Sequence, residues 1–252
     1  VAFPIGAGFA AKYLCSSSFI SQRNPDIAFE EDVAPINPLF KPISWQLNRE
    51  RKTASADYFG LFTATAIYRE GCGCSLVIGT TAEAMRQQTF YKRPANESNP
   101  FRRHDLPWPE GAMGPIAPAS LGIRPGQLNK ALDKAFAEPG PDKPKKTRAI
   151  VVVYDGHLVA ERYASGFNKD MLLLGWSMTK SVTSALVGIL VGQGKLSIRE
   201  PAPVPEWKES DDPRSAITLD HLLRMSSGLK FVEEYGVAAD VDIMLFLKPD
   251  AA

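Results

Sequence analysis

The sequence predicts an α+β protein, antiparallel strands flanked by helices, and three observations carry that expectation. Asp155-Gly156 stands between two β-rich runs, 148–154 and 157–163, a strong signal for a two-residue hairpin turn. Residues 177–191 read as a helix with apolar residues on most of its sides, closed by Gly192 and Gly194. Residues 124–137 place Leu128, Ala131, Leu132 and Ala135 on one helical stripe, which Pro139-Gly140-Pro141 ends.

Bulk properties bound the answer. A chain of 252 residues with 44% hydrophobic content can build one large domain, or a domain with an extension. With 29 basic and 28 acidic residues the net charge is +1, so no long-range field draws nucleic acid or an anionic membrane, and no nucleic-acid partner is expected. Three histidines and an isolated Cys72-Gly-Cys74 fall short of the four ligands of a structural zinc site, so no metal is expected.

Along the chain, the first residue is Val, which reads as a truncated or processed start. Residues 1–11 are apolar but interrupted by Pro4. They are too short to span a bilayer and read as the tail of a removed signal peptide or of a membrane anchor upstream of residue 1. Cys15, Cys72 and Cys74 leave two readings level: a disulfide from Cys15 to Cys72 or Cys74, or three buried thiols. Residues 1–116 look irregular, with short β-like runs at 61–68 and 74–78, and 92–118 is a Pro-, Gly- and Asn-rich linker or wrapping segment. The expected division is therefore an extension and linker over 1–116, then a domain over 117–252. His104 in the linker and the run Lys143-Pro144-Lys145-Lys146 read as solvated, and His157 as structural at a strand start. In 177–191, Val182, Leu186, Ile189 and Leu190 line one side, while Ala185, Val187 and Val191 make most of the rest apolar. Such a helix reads as a buried core helix. After a Pro- and Asp-rich loop over 199–216, Thr218 is a good N-cap for a helix over 219–225 that Gly228 closes, and 240–247 starts another. His221 reads as a packing or surface residue.

The chemistry concentrates in Ser177-Met178-Thr179-Lys180. Positions i and i+3 share a helix face, so hydroxyl and amine are neighbours. The helix N-terminus favours negative charge on Oγ. Burial of the Lys would make it a general base, and the Ser177 N–H would serve as an oxyanion donor. A Ser-x-x-Lys tetrapeptide occurs by chance roughly once in a chain this long. Indeed Ser227-Gly228-Leu229-Lys230 is a second match, but its Gly places it at a helix end. Only the 177–180 pair opens an apolar helix.

Ser177-Met-Thr-Lys180 followed by Ser181-Val-Thr-Ser-Ala-Leu-Val-Gly-Ile-Leu-Val-Gly-Gln-Gly-Lys-Leu-Ser197 resembles the nucleophile helix of the serine β-lactamase and penicillin-binding protein superfamily. Pro205-Glu206-Trp207, Ile217-Thr-Leu-Asp-His-Leu-Leu-Arg-Met-Ser-Ser-Gly-Leu229 and the Asp155-Gly156 hairpin resemble its class C-like and esterase branch, over about 120–252. The resemblance implies a β-lactamase/transpeptidase-like α+β fold. It also implies acyl transfer to water with Ser177 as nucleophile and Lys180 as base, and no cofactor. The substrate implied is an ester or linear amide. Phe231-Val-Glu-Glu-Tyr235 is similar to the stretch of 6-aminohexanoate-dimer hydrolases in which a Tyr meets the substrate amide, which makes Tyr235 a candidate substrate contact. The first ~115 residues resemble the extension of exported members. That likeness pairs Cys15 with Cys74 and implies a periplasmic or membrane-anchored location facing the periplasm. The family's Tyr/Asn motif and its Lys/His-Thr-Gly-like motif belong downstream of Ala252, so the chain reads as truncated before the C-terminal strands and as lacking part of the catalytic set. The alternatives are a D,D-peptidase or β-lactamase, or a non-catalytic member that binds a peptide.

Overall fold

The structure is a computed structural model describing residues 2–88, 105–140, 144–209, 211–234 and 238–249; His104, Lys143 and Tyr235 lie outside them. Among the described residues the architecture is α+β, with two antiparallel sheets of four and two strands and with helices that include the short α2 (Pro25–Ala28) and α3 (Ala82–Gln87). Two compact units are present, one over 1–69, 74–87 and 173–252, the other over 70–73 and 88–172. The division at 116/117 read from the sequence does not coincide with this one. The first 69 residues share a unit with the 177–180 segment because helix α1 (Ala2–Phe19) packs on both the four-stranded sheet and helix α7 (Asp240–Phe246).

In the first unit, the segment that reads as a leader remnant is a core helix. Ala7, Ala10, Ala11, Leu14 and Cys15 of α1 are fully buried. They lie against an antiparallel meander of β1 (Ile43–Asn48), β2 (Thr53–Tyr58), β3 (Leu61–Arg69) and β4 (Gly73–Leu76). A helix apolar all round belongs inside a fold, and small residues on α1 let the sheet come close. A Cβ at Gly6 would stand 2.4 Å from the Tyr58 hydroxyl, and one at Gly8 3.1 Å from Phe246 Cβ. Strand β2 alternates strictly, with Ala54, Ala56 and Tyr58 inward. Phe59 and Gly60, at φ 55° and 73°, make the two-residue turn that joins Tyr58 to Leu61. Cys15 is disulfide-bonded to Cys74, at a Cα separation of 6.0 Å, and Cys72 is exposed outside that bond. Among the described residues no helix is long and apolar enough to cross a membrane.

Behind α1, Arg23 pairs with Asp32 and Glu31, and Tyr13 lies beside them. Burial, then the negative charge of Asp32, pushes the Tyr13 phenol from its usual 10 up to about 12. Because the folded state holds this proton more tightly than the unfolded chain, the contribution is complete below pH 10 and is lost as pH rises toward 12. Urea midpoints measured from pH 9 to 12 are expected to fall in that window, and Tyr13→Phe to flatten the fall. An equal slope in the variant would count against it.

In the second unit, β5 (Ala149–Tyr154) and β6 (His157–Tyr163) form a hairpin in which Tyr154 pairs with His157. Asp155 and Gly156 turn at φ 47° and 73°, both left-handed. Gly156→Val is expected to cost this hairpin about 1–2 kcal/mol, read as a lower thermal midpoint; an unchanged midpoint would refute the turn's importance. Helix α4 (Pro125–Phe136) buries Leu132 and half-buries Leu128 and Ala135, while Ala131 is exposed. Arg162 of β6 bonds Asp133 of α4. Lys145, read as solvated, is exposed and also donates from Nζ to the Lys134 and Ala135 carbonyls at 3.0 Å each. It places a cation on the open carbonyls at the end of α4, where the helix is negative.

Candidate active site

Helix α5 (Met178–Gly192) begins immediately after Ser177, which occupies the N-cap. The turn into it is tight. Gly175 C=O accepts from Met178 N–H at 2.9 Å, Trp176 C=O accepts from Thr179 N–H at 3.0 Å, and the Thr179 hydroxyl donates to the same Trp176 carbonyl at 2.6 Å. Trp176 sits at φ 44°, a left-handed conformation that bulky residues avoid. Such strain persists where surroundings over-determine it, and here the Trp176 ring stacks on Phe9 of α1, with centroids 6.1 Å apart and planes 14° from parallel. Phe9 also meets Tyr13, Phe40 and Phe246 at 5.5–5.8 Å. A buried helix thus carries an aromatic ring that props the residue before Ser177. The Ser177 side chain makes no capping bond, so its hydroxyl is not committed to the helix start. At the other end, Gly194 N–H bonds Val191 C=O and Lys195 N–H bonds Leu190 C=O, both at 2.9 Å, with Gly194 at φ 69°. That is the Schellman closure expected of a Gly after the helix.

Two expectations about α5 are corrected. No residue of α5 is buried, and Val182, Leu186 and Ile189 are each more than half exposed. Among the described elements of its unit none packs along it; apolar composition makes a face buriable but does not supply a partner. Nor is Lys180 desolvated: its side chain is 55% exposed, and Nζ is 3.0 Å from Glu233 Oε1. An exposed pair of this kind is worth about 0–1 kcal/mol. The structure shows no hydrogen bond between Lys180 Nζ and the Ser177 hydroxyl. Ser177 and Lys180 nevertheless meet in the wall of one cavity of about 510 Å³, together with Lys12, Glu233 and the apolar faces of Phe9 and Phe246. The residue spacing does its part; the amine's partner in the structure is a carboxylate rather than the hydroxyl.

The other singled-out residues divide clearly. Tyr235 is outside the described residues. Ser227 and Lys230 lie in irregular chain beside Gly228 at φ 75°, with no helix between them. His221 is a capping residue of α6 (Leu219–Leu223): its N–H donates to Thr218 Oγ1 and its Nδ1 accepts from Thr218 N–H, both at 3.2 Å. His157 Nδ1 lies 2.7 Å from the Asp155 carbonyl in the hairpin. Three residues that shape the site were missed. Glu233 lies within the very stretch quoted for Tyr235, and Trp176 precedes the nucleophile, so both had a local signal. Phe9 had none, because nothing in residues 1–11 announces a contact with residue 176.

Residues 134–246 match the family model described as Beta-lactamase. The matched segment includes Ser177, Lys180 and Glu233, and it supports a serine-hydrolase type of function in general. No curated protein and no solved structure matches the chain.

Proposed function

We propose that the chain is the nucleophile-bearing part of a serine hydrolase related to the β-lactamases, hydrolysing an ester or a linear amide of the 6-aminohexanoate-dimer kind. The Ser177 oxygen bonds to the substrate carbonyl carbon while Lys180 takes the hydroxyl proton and hands it to the departing alcohol or amine. Water then cleaves the acyl-enzyme, and its proton restores the Ser177 hydroxyl. The Ser177 N–H at the start of α5 donates to the developing oxyanion. The base step requires the amine to leave Glu233 and turn back toward Ser177, one helical turn away. Tyr235 is the proposed contact to the substrate amide. The Cys15–Cys74 bond supports an exported, periplasmic setting, since disulfides persist in oxidising compartments.

The observation that carries this reading is the shared cavity: an uncommitted hydroxyl and an amine one turn apart, at the head of a 15-residue helix, in one wall. A fluorophosphonate probe is expected to label the protein, with labelling abolished in Ser177→Ala and slowed about 10²–10⁴-fold in Lys180→Ala, the usual range for loss of a general base. Label that survives in Ser177→Ala, or the absence of any label in the wild type, overturns the assignment.

A further inference from the structure

We propose that a second cavity beside Ser177 is the acyl pocket of this hydrolase and takes an aliphatic acyl chain carrying no negative charge; the inference rests on the serine-hydrolase reading. The cavity measures about 510 Å³, and Ile5, Phe9, Leu39, Phe40, Trp176 and Phe246 line it with Ser177. Clefts of this size and character hold small apolar ligands. It shares Phe9, Trp176, Ser177 and Phe246 with the cavity that contains Lys180, so the nucleophile borders both compartments. One holds Lys12, Lys180 and Glu233. Apart from Ser177 itself and the Trp176 indole, the polar side chains in the wall of the other are Asn37 and Asp242. Asn37 Oδ1 is already engaged, accepting from Leu39 N–H at 2.9 Å. Asp242 is 5% exposed and accepts from Ala239 N–H at 3.2 Å. A nearly buried carboxyl group in a largely apolar wall disfavours an anionic acyl group, which would also lose its hydration there. Methylene groups, by contrast, gain by leaving water, and each tightens transition-state binding. The pocket is built by α1 and the turn Pro38–Phe40, so the N-terminal segment selects the substrate.

The test compares p-nitrophenyl acetate, p-nitrophenyl octanoate and the p-nitrophenyl monoester of suberic acid, which has the octanoyl length and a terminal carboxylate. Octanoate is expected to exceed acetate in kcat/KM by at least about tenfold, and suberate to fall at least about tenfold below octanoate. Leu39→Trp, at a residue 42% exposed and so tolerant of change, fills the pocket and brings the octanoate-to-acetate ratio near one. Asp242→Asn, which keeps an oxygen for the Ala239 N–H, raises the suberate rate toward that of octanoate. A catalysis-independent readout accompanies these: displacement of the neutral fluorophore N-phenyl-1-naphthylamine by octanamide, weakened about tenfold in Leu39→Trp. Turnover with a flat chain-length profile, or binding and ratios indifferent to Leu39→Trp, overturns the pocket and leaves the hydrolase reading standing. Absent label and absent turnover sink the hydrolase reading, and octanamide displacement that Leu39→Trp does not weaken then sinks the pocket as well.

Discussion

Serine at both Cys15 and Cys74 is expected to lower the stability of the first unit by about 4 kcal/mol. The bond closes a loop across 59 residues of separation, and the chain-entropy estimate for a loop of that length is about 4 kcal/mol. The bond's location adds to the effect. Cys15 is fully buried and Cys74 nearly so, so two hydroxyls would enter an apolar core. The bond clamps α1 to the β4 edge of the sheet, and Lys12 of α1 donates to the Cys74 carbonyl beside it. Urea unfolding of the wild type with and without reductant, against the double variant, measures it. The reduced wild type and the variant should unfold at similarly lowered urea. A variant as stable as the oxidised wild type would show that burial alone holds α1. The site should respond too, since Phe9 sits on the clamped helix and stacks on Trp176. Fluorophosphonate labelling at Ser177 is expected to slow on reduction, well before the unit unfolds.

Phe9→Ala is expected to cost about 3 kcal/mol, the lower end for a buried phenylalanine, because the ring is partly rather than fully buried. It meets four aromatic partners at once: Tyr13, Phe40, Trp176 and Phe246. Each such pair is worth about 0.5–1.5 kcal/mol beyond its area. The functional consequence separates this residue from an ordinary core position. Without the ring, Trp176 loses its stacking partner on α1, and the Ser177 turn gains other geometries. Labelling by fluorophosphonate at a temperature where the variant remains folded should drop about tenfold, with Phe9→Leu intermediate. A folded Phe9→Ala that labels at the wild-type rate would show that Trp176 is held by other means.

These expectations trace to two different kinds of information in the chain. Where structure follows from the backbone preferences of adjacent residues, the sequence alone was enough. Asp155-Gly156 tolerates two successive left-handed conformations, and the hairpin forms there. Thr218 accepts the orphan N–H at a helix start, and Gly194 closes α5. The 3.6-residue period then places Ser177 and Lys180 one turn apart whatever surrounds them.

Where structure follows from which distant segments meet, the sequence was silent or misleading. Strand β2 reads Thr-Ala-Ser-Ala-Asp-Tyr, poor in the branched and aromatic residues that strands favour. It is a strand because β1 and β3 pair with it and because its alanines fit beneath α1. The apolar opening of the chain has the composition of a leader and the position of a core helix. Composition also promised burial for α5, yet its apolar face is exposed. Lys180 has the right spacing from Ser177, yet a glutamate 53 residues onward claims its amine. Local rules determined the turns, the caps and the nucleophile's spacing. Tertiary packing alone decided what α1 covers, what props Trp176 and where the Lys180 charge is held, because burial and ion pairing depend on contacts that no short window of residues contains.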